Sequence, residues 1–347
     1  MAEWLCNLFF DLIVLTSPAK IPHFLNRRPL KVIILAVKLL ITVYTCSYVY
    51  YKLFVSYNVD DLYLQYRQSV GGMVGWAVVL TLLLMIANWS IEALKWQYLI
   101  KGKEPIGFRM AFKAVLSGTT ISLITPNRIG EYAGRVVYLD TYDKVKAALT
   151  TMVGSFAQLC ITLVAGCICL CFELKHILPQ MDLARQTLVF LCLILVGLIL
   201  LLYYNIWLIA PVSRRIPIVK KYAGYFEEFE QYNYTDLTVL LGYSLIRYAV
   251  FTLQYVLMLY AFRTNVEVMD ALKVIPVIFL VQSIVPTSAL TEIGLRGYSA
   301  IVFFAFYSTN EVSLTLSAYG LWIVNLIFPA FVGLILLLRV RFLKADT

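Results

Sequence analysis

Six long apolar stretches dominate the pattern of hydrophobic and polar positions along the chain. They cover residues 31–54, 72–98, 147–172, 187–209, 236–261 and 313–338. A helix rises 1.5 Å per residue, so each stretch is long enough to cross about 30 Å of hydrocarbon. The pattern therefore predicts an all-α polytopic membrane protein with about six full spans.

Two further apolar regions are interrupted by residues that disfavour a continuous helix. Region 106–139 is broken by T-P-N-R-I-G at 125–130, and region 270–308 is broken by P-T-S at 286–288. Each half is too short or too polar to cross the membrane alone. Broken helices at membrane depth are tolerated only where protein or a wet cavity surrounds them. We interpret both regions as re-entrant helical hairpins.

The composition excludes a soluble protein and indicates an orientation. Apolar and aromatic residues make up 61% of the chain and charged residues only 14%, against about 25% charged residues in soluble domains. The net charge of +9 includes no Lys/Arg run that would indicate nucleic-acid binding. With the N-terminus in the cytoplasm, the cytoplasmic segments hold 17 Lys and Arg residues and the opposite segments 6. This bias predicts that both termini are cytoplasmic and that each hairpin enters and leaves on one side.

The order of these elements is the same in both halves of the chain: span, span, hairpin, span. The two hairpins then enter from opposite sides, which is typical of an inverted repeat with a site where the hairpins meet. We divide the chain into an N-terminal interfacial segment (1–30), a first membrane repeat (31–173), a connection with the fourth span (174–210), a cytoplasmic linker helix (211–235), the remainder of the second repeat (236–340) and a C-terminal tail (341–347).

Both hairpin breaks are followed by a Glu and an Arg four positions apart. Glu131 and Arg135 share one helix face, as do Glu292 and Arg296. One interpretation is an ion pair within each helix that lowers the cost of burying its charges. The other is that the guanidinium groups hold a phosphate, because Arg presents a planar fork of donors that matches phosphate oxygens.

The helix starts at the two breaks favour the phosphate interpretation. Pro126 and Gly130 precede one start and Pro286 precedes the other, and free N–H groups at a helix N-terminus attract anions. Arg128 lies at the entrance of the first. The predicted substrate-binding residues are therefore Arg128, Arg135, Arg296, Glu131, Glu292, Pro126, Gly130 and Pro286.

Other polar residues in the spans have simpler interpretations. Glu92 and Lys95 are read as an interfacial anchoring pair among aromatic residues. Arg247 is interpreted as a side chain that snorkels towards the cytoplasmic interface. Gln158, Gln254, Gln282 and Asn325 are expected to form hydrogen bonds between helices. The small residues Gly130 and Gly134 predict close helix packing.

The chain lacks the motifs of known enzyme classes. It contains no Gly-x-Ser-x-Gly, no zinc-binding His pair and no Gly-rich nucleotide loop. We expect no catalytic activity, no cofactor and no metal, and transport driven by an ion gradient or running downhill. A phosphate that draws an Arg away from Glu131 or Glu292 would favour protonation of that Glu, which predicts a route to proton coupling.

The segments S-L-I-T-P-N-R-I-G-E-Y-A-G-R (122–135) and P-T-S-A-L-T-E-I-G-L-R-G (286–297) resemble the hallmark segments of the lysylphosphatidylglycerol synthase transmembrane region family. The likeness extends from about 31 to 340 and includes W-S-I-E-A-L-K-W at 89–96. In the second segment, Ala289-Leu290-Thr291 stands where a Pro-Gly-Gly-Leu-Gly-like run is commoner.

The resemblance implies a flippase-like protein of the bacterial cytoplasmic (inner) membrane. Its expected ligand is a lipid with a phosphate head group, such as a phospholipid, an aminoacylated phospholipid or a polyprenyl-phosphate carrier. The chain carries no attached synthase domain, so aminoacyl transfer is not implied. Two alternatives remain open: a non-transporting partner of a lipid- or glycan-modifying enzyme, and a membrane-embedded enzyme.

Overall fold

The computed structural model describes residues 74–125, 128–216, 220–285 and 289–345, with single positions between 40 and 67. Most of these residues are helical, and none of them forms a strand. The helices are α1 (Val74–Ile100), α2 (Phe108–Ile124), α3 (Gly130–Val136), α4 (Lys144–Ile177), α5 (Asp182–Tyr204), α6 (Ile209–Arg215), α7 (Ala223–Phe226), α8 (Tyr234–Ala261), α9 (Val268–Ile284), α10 (Ala289–Phe304), α11 (Glu311–Trp322) and α12 (Phe328–Ala345).

Five helices are long and apolar enough to cross a membrane. They are α1, α4, α5, α8 and the continuous helix Glu311–Arg339 formed by α11 and α12, and they correspond to five of the six predicted spans. The sixth, 31–54, lies mostly outside the described residues, as does the segment 1–30. The rings of Tyr44 and Tyr48 lie 5.7 and 4.9 Å from the ring of Tyr298 on α10.

Polar residues begin several of the long helices. Asp143 accepts hydrogen bonds from the backbone N–H groups of Val145 and Lys146, both at 2.9 Å, at the start of α4. Asn233 forms a capping box with Asp236 at the start of α8. These side chains satisfy backbone donors that have no partner inside the helix, so the helix starts follow from local sequence.

Both hairpins break for the same local reason. Thr125, which follows α2, and Val285, which follows α9, have extended backbones. Each precedes a proline, and a proline ring disfavours helical geometry in the residue before it. Pro126 and Pro286 themselves lie outside the described residues. The predicted breaks are therefore confirmed at the residues that end the two helices.

The two ends of the α2–α3 hairpin lie at one end of the bundle. Glu104, just before α2, accepts hydrogen bonds from the backbone N–H groups of Asp140, Thr141 and Tyr142 after α3, at 2.8–3.0 Å. At the same end, the Lys95 ammonium on α1 donates to the carbonyl of Gly154 on α4 at 3.2 Å. The hairpin thus starts and finishes beside the end of α1 and the start of α4.

Glu104 is expected to hold this loop in its ionised form only. Partial burial raises the pKa of Glu104, but the backbone donors of Asp140, Tyr142 and Thr141 outweigh it and lower the pKa to about 2. Its contribution to stability is therefore complete above about pH 5 and is lost as the pH falls towards 2. Glu104→Gln should lower the thermal midpoint at pH 7, and the difference from wild type should shrink at pH 3. A difference that does not change with pH would contradict this role.

The α9–α10 hairpin has its two ends at the opposite end of the bundle. The Ser308 hydroxyl, after α10, donates to the carbonyl of Thr264, before α9, at 2.6 Å. The neighbouring Tyr307 hydroxyl donates to the Glu173 carboxylate near the end of α4, at 2.9 and 3.0 Å. Since α4 runs from one end of the bundle to the other, the two hairpins start from opposite ends.

The backbones of α2 and α3 are in direct contact. A Cβ atom added to Gly134 would lie 2.5 Å from the Cα atom of Gly118, and one added to Gly130 would lie 2.5 Å from the Ile121 side chain. Such distances leave no room for a side chain. The close packing predicted for Gly130 and Gly134 is confirmed, and it holds α3 rigidly against α2.

Region 211–235, predicted as a linker helix, consists of several short helical segments. The structure has α6, a 3₁₀ turn at Lys220–Tyr222, α7 and a second 3₁₀ turn at Glu227–Gln231. Ile216 is extended because Pro217 follows it. Buried Glu228 in the second turn pairs with Lys103 in the α1–α2 loop. At the C-terminus α12 runs to Ala345, into the predicted tail.

Candidate functional site

The two hairpin turns meet at a single carboxylate. Arg128, in the turn between α2 and α3, donates to Glu292 of α10 at 2.5 Å. Arg296, one helical turn after Glu292, donates to the same oxygen from Nε at 3.1 Å and from Nη2 at 2.6 Å. Residues 164 positions apart are thereby joined. The structure confirms the predicted Glu292–Arg296 pair and adds Arg128 to it.

The local backbone aims Arg128 at the second hairpin. Arg128 has a φ of 58°, a left-handed conformation that costs a non-glycine residue energy and persists only where its surroundings impose it. The Thr125 hydroxyl supplies part of that constraint. It donates to the carbonyl of Ile121 at 3.1 Å and accepts from the N–H of Gly130 at 2.8 Å, so it ties the end of α2 to the start of α3.

A second charge cluster surrounds Glu92 of α1. Arg135 of α3 donates to one Glu92 oxygen at 2.9 Å and also pairs with Glu131. The other Glu92 oxygen lies 2.8 Å from the Lys95 ammonium and 3.0 Å from the Arg247 guanidinium of α8. The Glu92 side chain is only 3% exposed. The buried Glu92 carboxylate therefore pairs with three cations from three helices.

This cluster corrects two sequence-based interpretations. Glu92 and Lys95 are not an interfacial anchor, because both side chains are buried. Arg247 does not snorkel: it lies 13 residues into α8, pairs with Glu92 and stacks over the Trp89 ring at 5.1 Å. Two of the three partners of Glu92, Arg135 and Arg247, are 43 and 155 positions away in the sequence. No local spacing indicates such pairs.

Neutral polar groups extend the Glu92 cluster to the α11–α12 helix. The Arg247 Nε atom donates to Asn88 at 3.0 Å, and the Asn88 amide reaches Asn325 at 3.5 Å. Asn325 lies in the π-helical turn Ile323–Ile327, where its carbonyl accepts from the Trp89 indole at 3.2 Å. The predicted interhelical hydrogen bond of Asn325 is confirmed. So is that of Gln254, which donates to the carbonyl of Thr81 at 2.9 Å. Within the described part of the chain, the buried amide oxygen of Gln158 has no hydrogen-bond partner.

The ionisable groups of both clusters carry an excess of positive charge. In the first, Lys95, Arg135 and Arg247 face two carboxylates, Glu92 and Glu131. In the second, Arg128 and Arg296 share one carboxylate, Glu292. Buried charge is costly unless it is compensated. With every group ionised, each cluster has one positive charge more than its carboxylates neutralise, so an anion would be stabilised at either cluster.

Exposure separates the predicted phosphate-binding residues. The Arg135 side chain is 1% exposed and enclosed by two carboxylates, whereas the Arg128 side chain is 42% exposed. The Arg296 side chain is nearly buried and donates two hydrogen bonds to Glu292. Gly130 is buried against α2, and Pro126 and Pro286 lie outside the described residues. Arg128 is thus the predicted arginine that an incoming anion can reach first.

Comparison with known proteins identifies the family of the chain. The model of the lysylphosphatidylglycerol synthase TM region family matches residues 33–333, and the chain therefore belongs to that family. The match spans every helix described above from α1 to α11 and the first turns of α12. No curated protein and no solved structure matches the chain.

Proposed function

We propose that this member of the lysylphosphatidylglycerol synthase TM region family moves a lipid with a phosphate head group between membrane leaflets, without enzymatic activity. The observation that carries the proposal is the junction of the two hairpin turns. There the half-exposed Arg128 lies beside Glu292 and Arg296 with an excess of positive charge. A phosphate entering this junction would replace the Glu292 carboxylate as the anionic partner of Arg128, because its oxygens match the planar fork of guanidinium donors.

We further propose that the two hairpins are re-entrant and related as an inverted repeat. The Glu104 contacts at one end of α4, and the Ser308 and Tyr307 contacts at the other, support this arrangement. The Lys/Arg bias of the sequence supports a cytoplasmic position for the first end and for both termini, and the family supports a bacterial cytoplasmic membrane.

Cysteine labelling from each side of the membrane tests this topology. Single cysteines at Lys101 and Lys144 should react with an impermeant maleimide from the same side, and cysteines at Glu267 and Thr309 from the other. All four positions are exposed in the structure, so the reagent can reach them. Labelling of Lys101→Cys and Lys144→Cys from opposite sides would make the α2–α3 hairpin a true span and refute the proposal.

The mechanism follows from how the charges are shared. Glu292 has two arginine partners, so it keeps Arg296 when Arg128 turns to a phosphate. Arg128 exchanges one anion for another, which avoids exposing an unpaired charge to lipid. The Glu92 cluster lies on rigid helices and has no cation as exposed as Arg128. It is suited to holding α3 in place while the junction changes partners.

Transport itself is tested with the purified protein in liposomes. Phosphatidylglycerol with a fluorescent head-group-linked or chain-linked label is placed in both leaflets, and a quencher is added outside. The protein should bring the protected inner pool to the outside faster than protein-free liposomes do. Bound lipid without any accelerated exchange would favour the alternative, a non-transporting partner of a lipid-modifying enzyme.

Proton coupling is a further expectation of the same assay. When a phosphate takes Arg128, Glu292 keeps one cation instead of two, and a carboxylate in a low-dielectric site then takes up a proton more readily. Glu131 has the corresponding place beside Arg135. An imposed pH gradient should change the transport rate of wild type, and Glu292→Gln and Glu131→Gln should lose that response. A wild-type rate that is indifferent to the gradient would make both carboxylates structural.

A further inference from the structure

A basic groove lies between α4 and α5, far from the charge clusters of the hairpins. It encloses about 320 Å³. Its lining residues come from two helices: Cys171 and Lys175 on α4, and Arg185, Gln186, Val189, Phe190 and Leu193 on α5. The volume falls at the lower end of the range for small-molecule sites.

The groove is polar at its mouth and apolar along its floor. Lys175, Arg185 and Gln186 lie within a few residues of the turn that joins α4 to α5. Below them, Val189, Phe190 and Leu193 follow Gln186 at spacings of three, four and seven, so they form a stripe on one face of α5. Seven residues of helix extend about 10 Å. This order of groups matches a lipid head group followed by the first part of an acyl chain.

The charge at the mouth selects an anionic head group. Arg185 pairs with Asp182, an exposed residue at the start of α5. Lys175 forms no ion pair within the described part of the chain, so the mouth keeps one uncompensated positive charge. Glu173 and His176, its neighbours on α4, turn instead towards Tyr307. The amide of Gln186 adds neutral donors for phosphate oxygens.

The rest of α5 is compatible with a lipid in the groove. In its 18-residue apolar window only 11% of residues are buried, the smallest share of the five spanning helices. Phe190 and Leu193 are among its exposed large side chains. A chain that leaves the groove therefore continues over an apolar surface that already faces lipid.

We propose that the α4–α5 groove is a binding site for an anionic phospholipid, with its phosphate between Lys175 and Arg185 and an acyl chain on Val189, Phe190 and Leu193. The site is separate from the hairpin junction and does not depend on the transport proposal. The lipid is held at the end of the bundle opposite the α2–α3 hairpin ends. Its occupant is a membrane lipid rather than a second protein chain.

The test is photo-cross-linking in nanodiscs made mainly of phosphatidylcholine. The probes are phosphatidylglycerol and phosphatidylcholine, each with a diazirine in the acyl chain, and mass spectrometry maps the labelled residues. The phosphatidylglycerol probe should label residues 186–193 at least about five-fold more than the phosphatidylcholine probe, because the uncompensated positive charge at the mouth repels the choline ammonium of phosphatidylcholine. The variant Lys175→Gln/Arg185→Gln should lose this preference.

Two controls make the result specific. Arg263→Gln removes a positive charge from the same end of the bundle but outside the groove, so it should leave the labelling unchanged. Labelling near the hairpin junction should persist in the double variant, which separates this site from the transport site. Equal labelling of 186–193 by both probes, an unchanged preference in the double variant, or cross-links from α5 to a second copy of the chain would each overturn the proposal.

Discussion

Glu92→Gln is expected to destabilise the protein by about 3–5 kcal/mol, the cost of breaking a buried ion pair by removing one partner. The carboxylate lies within 2.8–3.0 Å of Lys95, Arg135 and Arg247. A neutral amide leaves these cations with Glu131 as their one remaining carboxylate, and two of the cations, Lys95 and Arg135, are only 1% exposed. Their mutual repulsion and lost solvation should appear as a lower thermal midpoint in detergent.

A matched control makes this result interpretable. Glu227 also pairs with an arginine, Arg214, at 3.1 Å, but both side chains are about half exposed. Glu227→Gln should therefore change stability by less than about 1 kcal/mol. Adding Lys95→Met to Glu92→Gln removes one of the stranded cations and should recover part of the loss. Equal midpoints for Glu92→Gln and Glu227→Gln would show that the cluster does not hold the helices together.

Arg128→Gln is expected to slow phosphatidylglycerol transport about ten-fold or more. A contact between Arg and a charged partner contributes about 1.5–3 kcal/mol, which corresponds to at least that factor in binding. Because the Arg128 side chain is 42% exposed and Glu292 keeps Arg296, the fold should remain intact. The measurement is the rate of lipid exchange in liposomes that contain equal amounts of folded protein.

Two further variants locate the effect. Arg109→Gln makes the same substitution at an exposed arginine on α2, near the opposite end of that helix, and should retain the wild-type rate. Arg128→Lys keeps the charge but loses the planar fork, so its rate should be intermediate. If Arg128→Gln and Arg109→Gln transport equally, Arg128 does not contact the phosphate and the hairpin junction is not the route.

Local sequence determined which segments are helices and where they end. Apolar length predicted the spans, and five of the six correspond to helices that can cross a membrane. The prolines at 126 and 286 predicted the two breaks, because a proline ring disfavours helical geometry in the residue before it. The pairs Glu131–Arg135 and Glu292–Arg296 were predictable for the same reason, since residues four apart on a helix lie side by side.

Only the tertiary structure decided which charges meet. Arg128 pairs with Glu292, which is 164 positions away in the sequence, and Arg247 pairs with Glu92, which is 155 positions away. The sequence pattern places Arg128 at a helix start and predicts a snorkelling side chain for Arg247, but it indicates neither of these partners. Long-range pairing depends on how α1, α3, α8 and α10 pack. That packing rests on contacts such as Gly118 against Gly134, and the sequence does not show which residue each glycine packs against. The sequence by itself therefore determined the helices, the family motifs and the presence of buried charge. Their assembly into one carboxylate with three cations, and one with two, was decided by the packing of the helices, because a side chain's electrostatic partner is set by distance in space and not along the chain.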